Sequence, residues 1–438
     1  MKHESHKLDK YLGKLWRHSD FRTLWLSLSI THFGGQITFL ALPLTAALLL
    51  NAGPVEMGYL IACEALPYTV FGLFVGVLID RSKKLPLIVA ADLGRGAILL
   101  MIPVAAWFHV LTMPILYLVG FLVGLGGIIG WAAYQVFMAE RIGQENLVEA
   151  NSRMALSDSA AQLIGPGLAG AIIHWLTAPF AILLDATSFF ISAWMLKSIP
   201  PKASDAPKIQ AGNASWASIK ADIKEGIHMI RDHAVLRSIA VSLLIWNFLK
   251  HAYLAIVFLF AARDLNLSAG SIGGLFTMAG LGFLLASAAC QPLNRRFGVG
   301  CVMLTGMTMS GVSWLAIAFV QAGTWATLQM GATLFVFDLG TMLFFINYLS
   351  LRQAVTPDHL RGRVTSTLIF VAVSMAPVGS IVGGYLGEWI GLRQTVGVCG
   401  VVGVVLGGLL LRYSPLMKMH KLPENATAAP PTPEMAAD

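Results

Sequence analysis

Charged residues are scarce in this chain. Only 12% of its 438 residues are Asp, Glu, Lys or Arg, whereas an average soluble domain carries about 25%. Hydrophobic residues make up 56%, and the mean hydropathy is +0.71. This composition excludes an ordinary soluble domain and predicts a membrane protein. A bilayer core about 30 Å thick needs roughly 20 apolar residues per helix, so the chain has room for about a dozen spans.

Catalytic signatures are lacking as well. The sequence contains no HExxH, no GxSxG and no phosphate-binding Gly-Lys loop. Its four cysteines lie in or beside apolar segments, without the close spacing of a metal or redox site. We therefore predict no enzyme activity, no catalytic residue, no metal and no cofactor, so that any uphill transport must draw on a gradient.

Long apolar stretches predict an all-α membrane protein with twelve transmembrane helices. They lie at about 24–49, 57–79, 86–107, 114–139, 152–176, 179–199, 236–262, 270–294, 299–321, 325–350, 361–390 and 394–412. The chain then divides into an N-terminal segment (1–20), a first six-helix bundle (21–199), a linker (200–235), a second bundle (236–413) and a disordered tail (414–438). The start is too polar and too long for a cleavable signal, so the first span is expected to stay in the mature protein.

The positions of the basic residues predict the orientation. Most of the 30 Lys and Arg fall in the tails, in the linker, or after helices 2, 4, 8 and 10, as expected for cytoplasmic segments. Both termini are therefore predicted in the cytoplasm, with the protein in the inner membrane. Arg263 and Arg393 are the exceptions. Orientation explains the formal charge of +7, and no nucleic-acid partner is needed.

The linker contains apolar residues at steps of three or four, with charged residues between them. This spacing predicts an amphipathic helix on the cytoplasmic surface. The residues are Trp216, Ile219, Ile223, Ile227 and Ile230.

The two halves repeat weakly. A polar segment leads into a small-residue helix containing proline after helix 4, in "ENLVEANSRMALSDSAAQLIGPGLAGAI", and again after helix 10, in "PDHLRGRVTSTLIFVAVSMAPVGSIVGGYLG". Corresponding breaks in two six-helix halves are typical of a transporter whose site lies between them.

The charged segment "GVLIDRSKK" between helices 2 and 3 resembles the signature of the major facilitator superfamily, although Lys83 replaces the usual second glycine. The segments "FRTLWLS", "DLGRG", "DATSFFISA" and "IKEGIHMIRDHAVLRSI" are similar to the drug:proton antiporter branch that contains macrolide and siderophore exporters. The resemblance extends to about residue 413. It implies two pseudo-symmetric six-helix bundles and alternating access.

The resemblance also implies a cytoplasmic gate. In it, Asp80 would meet Arg81, Arg95 or a neighbouring helix terminus and so favour one bundle arrangement. The alternative is that the basic residues only set orientation. The gate residues are Gly76, Asp80, Arg81, Lys84, Asp92 and Arg95.

Helix 5 carries a second implied motif. In "AAQLIGPGLAG", the residues Gly165, Pro166 and Gly170 resemble the antiporter signature, with Ala161 and Ala169 where glycine is usual. Close helix packing would need the same small residues. Helix 4 lacks the arginine found in many drug antiporters of the family, so proton coupling through that residue is excluded.

Charges inside apolar segments are expensive, at roughly 2.5–3.5 kcal/mol for a lone charge at the bilayer centre, and are functional candidates. Glu64 has no basic residue near it in sequence and is the first candidate for proton or cation coupling. Lys250 and Asp338 have matching depth, which makes a salt bridge between them plausible. A purely structural role stays open for each. The coupling candidates are Glu64, Asp338, Lys250, Asp158 and Asp185.

A cavity for amphipathic cargo would use polar, aromatic and adaptable side chains. The candidates are His32, Gln36, Tyr68, Tyr134, Gln162, Trp246, His251, Phe345 and Asn347.

These patterns together favour proton-coupled export of a hydrophobic or amphipathic small molecule, such as a drug, siderophore or metabolite, by a monomer in the lipid bilayer. The alternatives are a lipid or lysolipid flippase of the same fold and a membrane sensor that binds a ligand without transporting it.

Overall fold

The structure is a computed structural model that describes residues 14–200, 216–357 and 360–419. Within these ranges the chain forms twelve long helices, and one shorter helix connects the sixth to the seventh. The predicted all-α fold with twelve helices is confirmed. The helices are α1 Ser19–Leu44, α2 Pro54–Arg81, α3 Lys84–Trp107, α4 Met113–Ile142, α5 Leu147–Leu176, α6 Ala178–Lys197, the connecting helix Trp216–Asp232, α7 Ala234–Leu259, α8 Ala269–Phe297, α9 Val299–Ile317, α10 Ala326–Val355, α11 Arg361–Ile390 and α12 Leu392–Tyr413.

Most of the long helices can cross a bilayer. Ten helices of the described chain are long and apolar enough, and α2 is an eleventh when its two parts, inclined by 64°, are counted as one span. Helix α5 is less apolar because polar residues such as Gln162 and His174 interrupt its hydrophobic residues. It packs against α1 and α8.

The two halves share one packing scheme. In the first half, α1 packs on α5 and α6, α3 packs on α4 and α6, and α2 packs on α4. The second half repeats the same five pairings among α7–α12. The halves meet mainly where α2 packs on α11 and α5 packs on α8, which are themselves related by the repeat.

The repeat is also visible at the ends of α1 and α7, which have the same local structure. Each helix continues into one wider π turn, Thr45–Leu49 or Phe260–Asp264. The turns close with equivalent bonds, from Leu50 N–H to the Thr45 carbonyl at 3.2 Å and from Leu265 N–H to the Phe260 carbonyl at 3.1 Å. Asn51 and Asn266 follow with φ values of 51° and 52°, in the left-handed region that asparagine tolerates better than most residues.

The helix ends form two faces. We call the face with the start of α1 and the α2–α3 connection the basic face, because most of the described Lys and Arg lie there; the other is the opposite face. The two exceptional arginines cap helix ends on the opposite face. Arg263 donates to the Ala52 carbonyl at 2.9 Å, and Arg393 donates to the Val320 carbonyl at 2.6 Å. Free carbonyls at helix ends attract cations, which explains their position.

The predicted disordered tail differs from the structure in its first residues. Ser414 accepts from Leu416 N–H at 3.2 Å, and Pro415–Lys418 forms a short helical turn. Leu416 is fully buried, and Gly300 N–H donates to the Met419 carbonyl at 3.1 Å. Burial of this apolar side chain holds residues 414–419 against α9; residues 420–438 lie outside the described chain.

The connecting helix lies against the start of α11. Glu225 forms an ion pair with Arg363, and Gly226 allows close approach to Thr367. Of the predicted apolar face, Ile230 is buried and Ile227 is exposed. The side chains of the other three members, Trp216, Ile219 and Ile223, lie outside the described part of the structure.

Candidate functional site

A cavity of about 390 Å3 lies between the two halves. Helices α1, α5, α7, α8 and α10 line it, so both halves contribute. Its apolar walls are Phe39, Leu163, Leu254, Phe276, Phe283, Leu334 and Phe337, and its polar side chains include Gln36, Gln162, Lys250, His251 and Asp338. An apolar pocket with a few polar groups is the usual character of a small-molecule site.

The predicted Lys250–Asp338 salt bridge is not formed. Both side chains line the central cavity, but no nitrogen–oxygen contact within 4.0 Å joins them in the described chain. The Lys250 ammonium lies 5.0 Å from the ring centre of Trp246, a cation–π contact. Trp246 is buried and stacks on Phe344 at 6.2 Å. Lys250 and Asp338 therefore line the same cavity, as their equal depth suggested, but they do not form an ion pair.

Glu64 faces a second cavity, of about 270 Å3, between α2, α7 and α11. Its carboxylate has no hydrogen-bond partner among the described residues. His251 lines the same cavity, and its Nδ1 lies 2.9 Å from the Asn247 carbonyl oxygen. Because a carbonyl only accepts, Nδ1 carries the hydrogen, and Nε2 of a neutral ring is left as an acceptor. Glu64 of the first half and His251 of the second half are therefore two ionisable groups that line the same cavity.

A third cavity, of about 290 Å3, lies inside the first half. Its wall includes His32, whose Nδ1 lies 2.8 Å from Oδ1 of Asp158, and Gln162 donates to the other oxygen of Asp158 at 2.8 Å. His32 of α1 and Asp158 of α5 therefore form a pair across the two helices. Gln36 borders both this cavity and the central one, and Tyr68 borders both this cavity and that of Glu64.

Three other charged candidates lie in the interior of the first half, and we call them the buried cluster: Asp92, Arg95 and Asp185. Asp185 is 1% exposed and accepts from the hydroxyls of Thr38 and Ser188. Asp92, 7% exposed, accepts from the Ser192 hydroxyl at 2.6 Å. The Arg95 guanidinium lies 4.0 Å from the ring centre of Phe189, which follows Asp185 by four residues on α6.

Sequence comparison supports the transporter fold. The model of the Major Facilitator Superfamily matches residues 24–262 and 243–436. The chain belongs to the major facilitator superfamily.

Related proteins of this superfamily match nearly the whole chain at low identity. The MFS-type transporter YfiS of Bacillus subtilis (strain 168) is 25% identical over 407 residues, covering 89% of this chain and 92% of that protein. The multidrug efflux pump Tap of Mycolicibacterium fortuitum is 24% identical over 379 residues, covering 85% and 90%. The nucleoside transporter NupG has the same fold, with a TM-score of 0.71 at 13% identity, covering 92% and 100%.

The gate motif of the major facilitator superfamily divides between two places. Asp80 and Arg81 are exposed on the basic face, and Lys84 is buried. Arg95 lies eleven residues into α3, about 16 Å from its start. Of the three partners expected for Asp80, the described residues show no ion pair or hydrogen bond with Arg95, and Asp92 and Arg95 belong to the buried cluster.

The helix 5 motif lies at contacts with two neighbouring helices. A side chain at Gly165 would collide with Gln36 of α1, since its Cβ would come 2.8 Å from Gln36 Cβ. A Cβ at Gly170 would come 2.9 Å from Gly273 Cα on α8, and Pro166 contributes its carbonyl to the same α5–α8 contact. Glycine allows such close helix approach.

Contacts between the halves lie between the opposite face and the middle of the molecule. The Tyr59 and Tyr385 hydroxyls are 2.9 Å apart, and Arg263 of the second half donates to carbonyls at the end of α1. Nearer the basic face, a Cβ at Gly76 would meet nothing within 4 Å. These contacts between the halves close the described structure at the opposite face.

Sequence reasoning missed these closing residues. Gly58 and Gly384 approach so closely that the Cβ of either would lie 3.1 Å from the Cα of the other. Small residues four apart on α2 (Gly58 and Ala62) and on α11 (Ser380 and Gly384) were the available signal. No sequence pattern pointed to Tyr59 and Tyr385, which lie on different halves.

Three further cavity candidates lie away from the central cavity. Tyr134 lines the cavity of the first half and donates to Met154 Sδ at 3.3 Å. Phe345 is exposed. Asn347 is buried, donates to the Leu343 carbonyl at 2.8 Å and accepts from Asn294 at 2.7 Å.

Proposed function

We propose that the protein exports a hydrophobic or amphipathic small molecule in exchange for protons, with the basic face in the cytoplasm and the protein in the inner membrane. The observation that carries this proposal is the central cavity, which combines aromatic walls with Lys250, His251 and Asp338. With the basic face cytoplasmic, the cavity would receive its substrate from inside the cell. The similarity to the multidrug efflux pump Tap supports outward transport.

Glu64 is the first candidate for proton coupling in this proposal, because it faces a cavity without a hydrogen-bond partner among the described residues. Asp338 is the second, with Lys250 as a nearby counter-charge in the same cavity. Asp158 and Asp185 already accept hydrogen bonds from neighbouring side chains. A carboxyl that alternates between a proton and another partner can link transport to a proton gradient.

The test uses the purified protein in liposomes that contain a pH-sensitive dye. Ethidium, a macrolide, a siderophore and a lysolipid are added in turn, and proton flux is recorded. Glu64→Gln should abolish gradient-driven transport, while substrate exchange without a gradient persists. The control is Glu145→Gln, the same change at an exposed residue of the α4–α5 connection.

Full gradient-driven transport by Glu64→Gln would remove Glu64 from the coupling mechanism. Proton flux with none of the compounds would remove the export proposal. Lysolipid-dependent flux alone would favour the flippase.

A further inference from the structure

The buried cluster of the first half contains more negative than positive charge. We propose that Asp92 is a proton-binding site separate from the substrate cavity, and that Arg95 is the charge that replaces its proton. The role of this site in transport rests on the proposed proton-coupled export, but the proton site itself can be tested independently.

Glycines on two neighbouring helices make room for the side chains of the buried cluster. A Cβ at Gly34 would come 2.5 Å from Oδ1 of Asp185, and a Cβ at Gly126 would come 2.6 Å from Cγ of Arg95. Helices α1 and α4 thus carry glycine where these two side chains need room.

The charge count requires a proton. Asp92 and Asp185 supply two carboxylates, and Arg95 supplies one guanidinium. Asp92 and Arg95 line the same cavity, and the Arg95 guanidinium lies 4.0 Å from the ring centre of Phe189, four residues after Asp185 on α6. One uncompensated charge in a medium of low dielectric constant is costly, and a buried acid ordinarily avoids that cost by staying protonated.

Access selects Asp92 as the proton carrier. Asp185 is 1% exposed and accepts from the Thr38 hydroxyl, while the Ser188 hydroxyl lies 2.7 Å from the Asp185 backbone carbonyl and 3.2 Å from its carboxylate. Asp92 is 7% exposed and accepts from the Ser192 hydroxyl. Asp92 also lines the cavity of the first half, which gives a proton access to it.

Arg95 is available to take the place of the proton. Its Nε is buried without a partner, and the described residues give its guanidinium neither an ion pair within 4.0 Å nor a hydrogen bond. When Asp92 loses its proton, the guanidinium gains a second carboxylate to pair with, and a turn of its long side chain can make that contact. Loss of the proton and formation of the Arg95–Asp92 pair are then one exchange.

Other ionisable groups around Asp92 do not supply the missing positive charge. From the packed helices these are Tyr68 on α2, Tyr134 on α4, Asp185 on α6 and His32 on α1, which line the same cavity or the cluster. The His32 ring is bonded to Asp158 of α5.

The exchange is placed to affect the substrate cavity. Thr38, which donates to Asp185, lies on α1 two residues after Gln36 and one before Phe39, both in the wall of the central cavity. Movement of Arg95 between the two carboxylates would change how firmly α6 holds α1. This connects the proton site to the substrate site through one helix.

The test measures the proton directly. Infrared difference spectra of the purified full-length protein in lipid, recorded between acid and alkaline pH, should show the carbonyl stretch of a titrating carboxylic acid. One component of this band should be lost in Asp92→Asn and kept in Asp80→Asn, an exposed control. A band unchanged in Asp92→Asn overturns the proposal.

A second variant tests the same proton site if Asp92→Asn folds poorly. In Arg95→Gln the band should persist to higher pH, since the charged carboxylate has lost its cation. An unchanged pH dependence would also overturn the proposal. Failure of the proposed function looks different: the same component of the band would be lost in Asp92→Asn while no compound drives proton flux in the unmodified protein.

Discussion

The two halves of the molecule have the same architecture and different buried chemistry. Each has the same five helix pairings, and α1 and α7 each end in a π turn. The first half encloses Asp92, Arg95 and Asp185 within its own helices. In the described second half, Lys250 and Asp338 instead lie on the wall of the central cavity.

The comparison shows that the two halves bury different polar groups. In the second half, hydrogen bonds join a neutral group of three residues, with Asn294 donating to Asn347 at 2.7 Å and Asn347 donating to Cys290 Sγ at 3.4 Å. A membrane-buried charge is costly and is usually retained for function. The first half is therefore suited to hold a proton, and the second half is suited to present charges to a substrate.

Removing one acid from each half tests this difference in stability. Asp185→Asn should lower the apparent melting temperature clearly, because the Thr38 and Ser188 hydroxyls lose a charged acceptor. Hydrogen bonds to charged groups contribute about 1.5–3 kcal/mol. The matched change in the second half, Asp338→Asn, should have much less effect, since the described residues give Asp338 no hydrogen bond. Equal losses in the two variants would contradict the asymmetry.

A second prediction concerns the contact between the halves. In Gly273→Ala the new Cβ would lie 2.8 Å from Gly170 Cα, so α8 and α5 must separate on the opposite face. We expect a shift of about 1–2 kcal/mol toward a state open at that face. The measurement is the labelling rate, by a membrane-impermeant thiol reagent, of a cysteine placed at the buried Met57, with the four native cysteines replaced.

Gly274→Ala is the control for that experiment, because a Cβ at the neighbouring glycine meets nothing within 4 Å. It should label at the rate of the parent protein. If both alanine variants label equally fast, the α5–α8 contact does not hold the opposite face closed.

Much of the fold could be predicted from sequence because hydropathy determines helix number and basic residues mark one face. The repeat was visible in "GPGLAG" and "VGSIVGGYLG", which correspond to α5 and α11. The helix ends were less well predicted. Polar residues such as Glu149 and Asn151 lie within α5, before its predicted start at about 152, because helical hydrogen bonding continues beyond the apolar core.

The candidate site was harder to predict because depth along a helix does not give the direction of a side chain. Lys250 and Asp338 have equal depth but the Lys250 ammonium lies over Trp246. Asp92 and Arg95 are three residues apart and so lie on one helix face, which was a signal for their shared interior position. That Asp92 meets Ser192 and Arg95 meets Phe189 of α6 depends on how α3 and α6 pack.

The smallest expected effect compares equivalent helix starts. A histidine precedes both α1 and α7, but only His233 bonds its helix, accepting from Leu236 N–H at 3.4 Å; His18 makes no such bond. Partial burial lowers the pKa of His233, so its neutral form is favoured in the folded protein. Its contribution is present above the unfolded value of about 6.5 and is lost as pH falls through the lower folded pKa.

His233→Ala should therefore lower the apparent melting temperature at about pH 8 and have almost no effect at about pH 5, where a protonated ring can no longer accept. The long bond places the loss near the lower limit for a helix cap, about 0.5 kcal/mol. His18→Ala is the matched control and should show no pH-dependent loss. If the two variants change equally with pH, the difference between the halves at these helix starts has no energetic consequence.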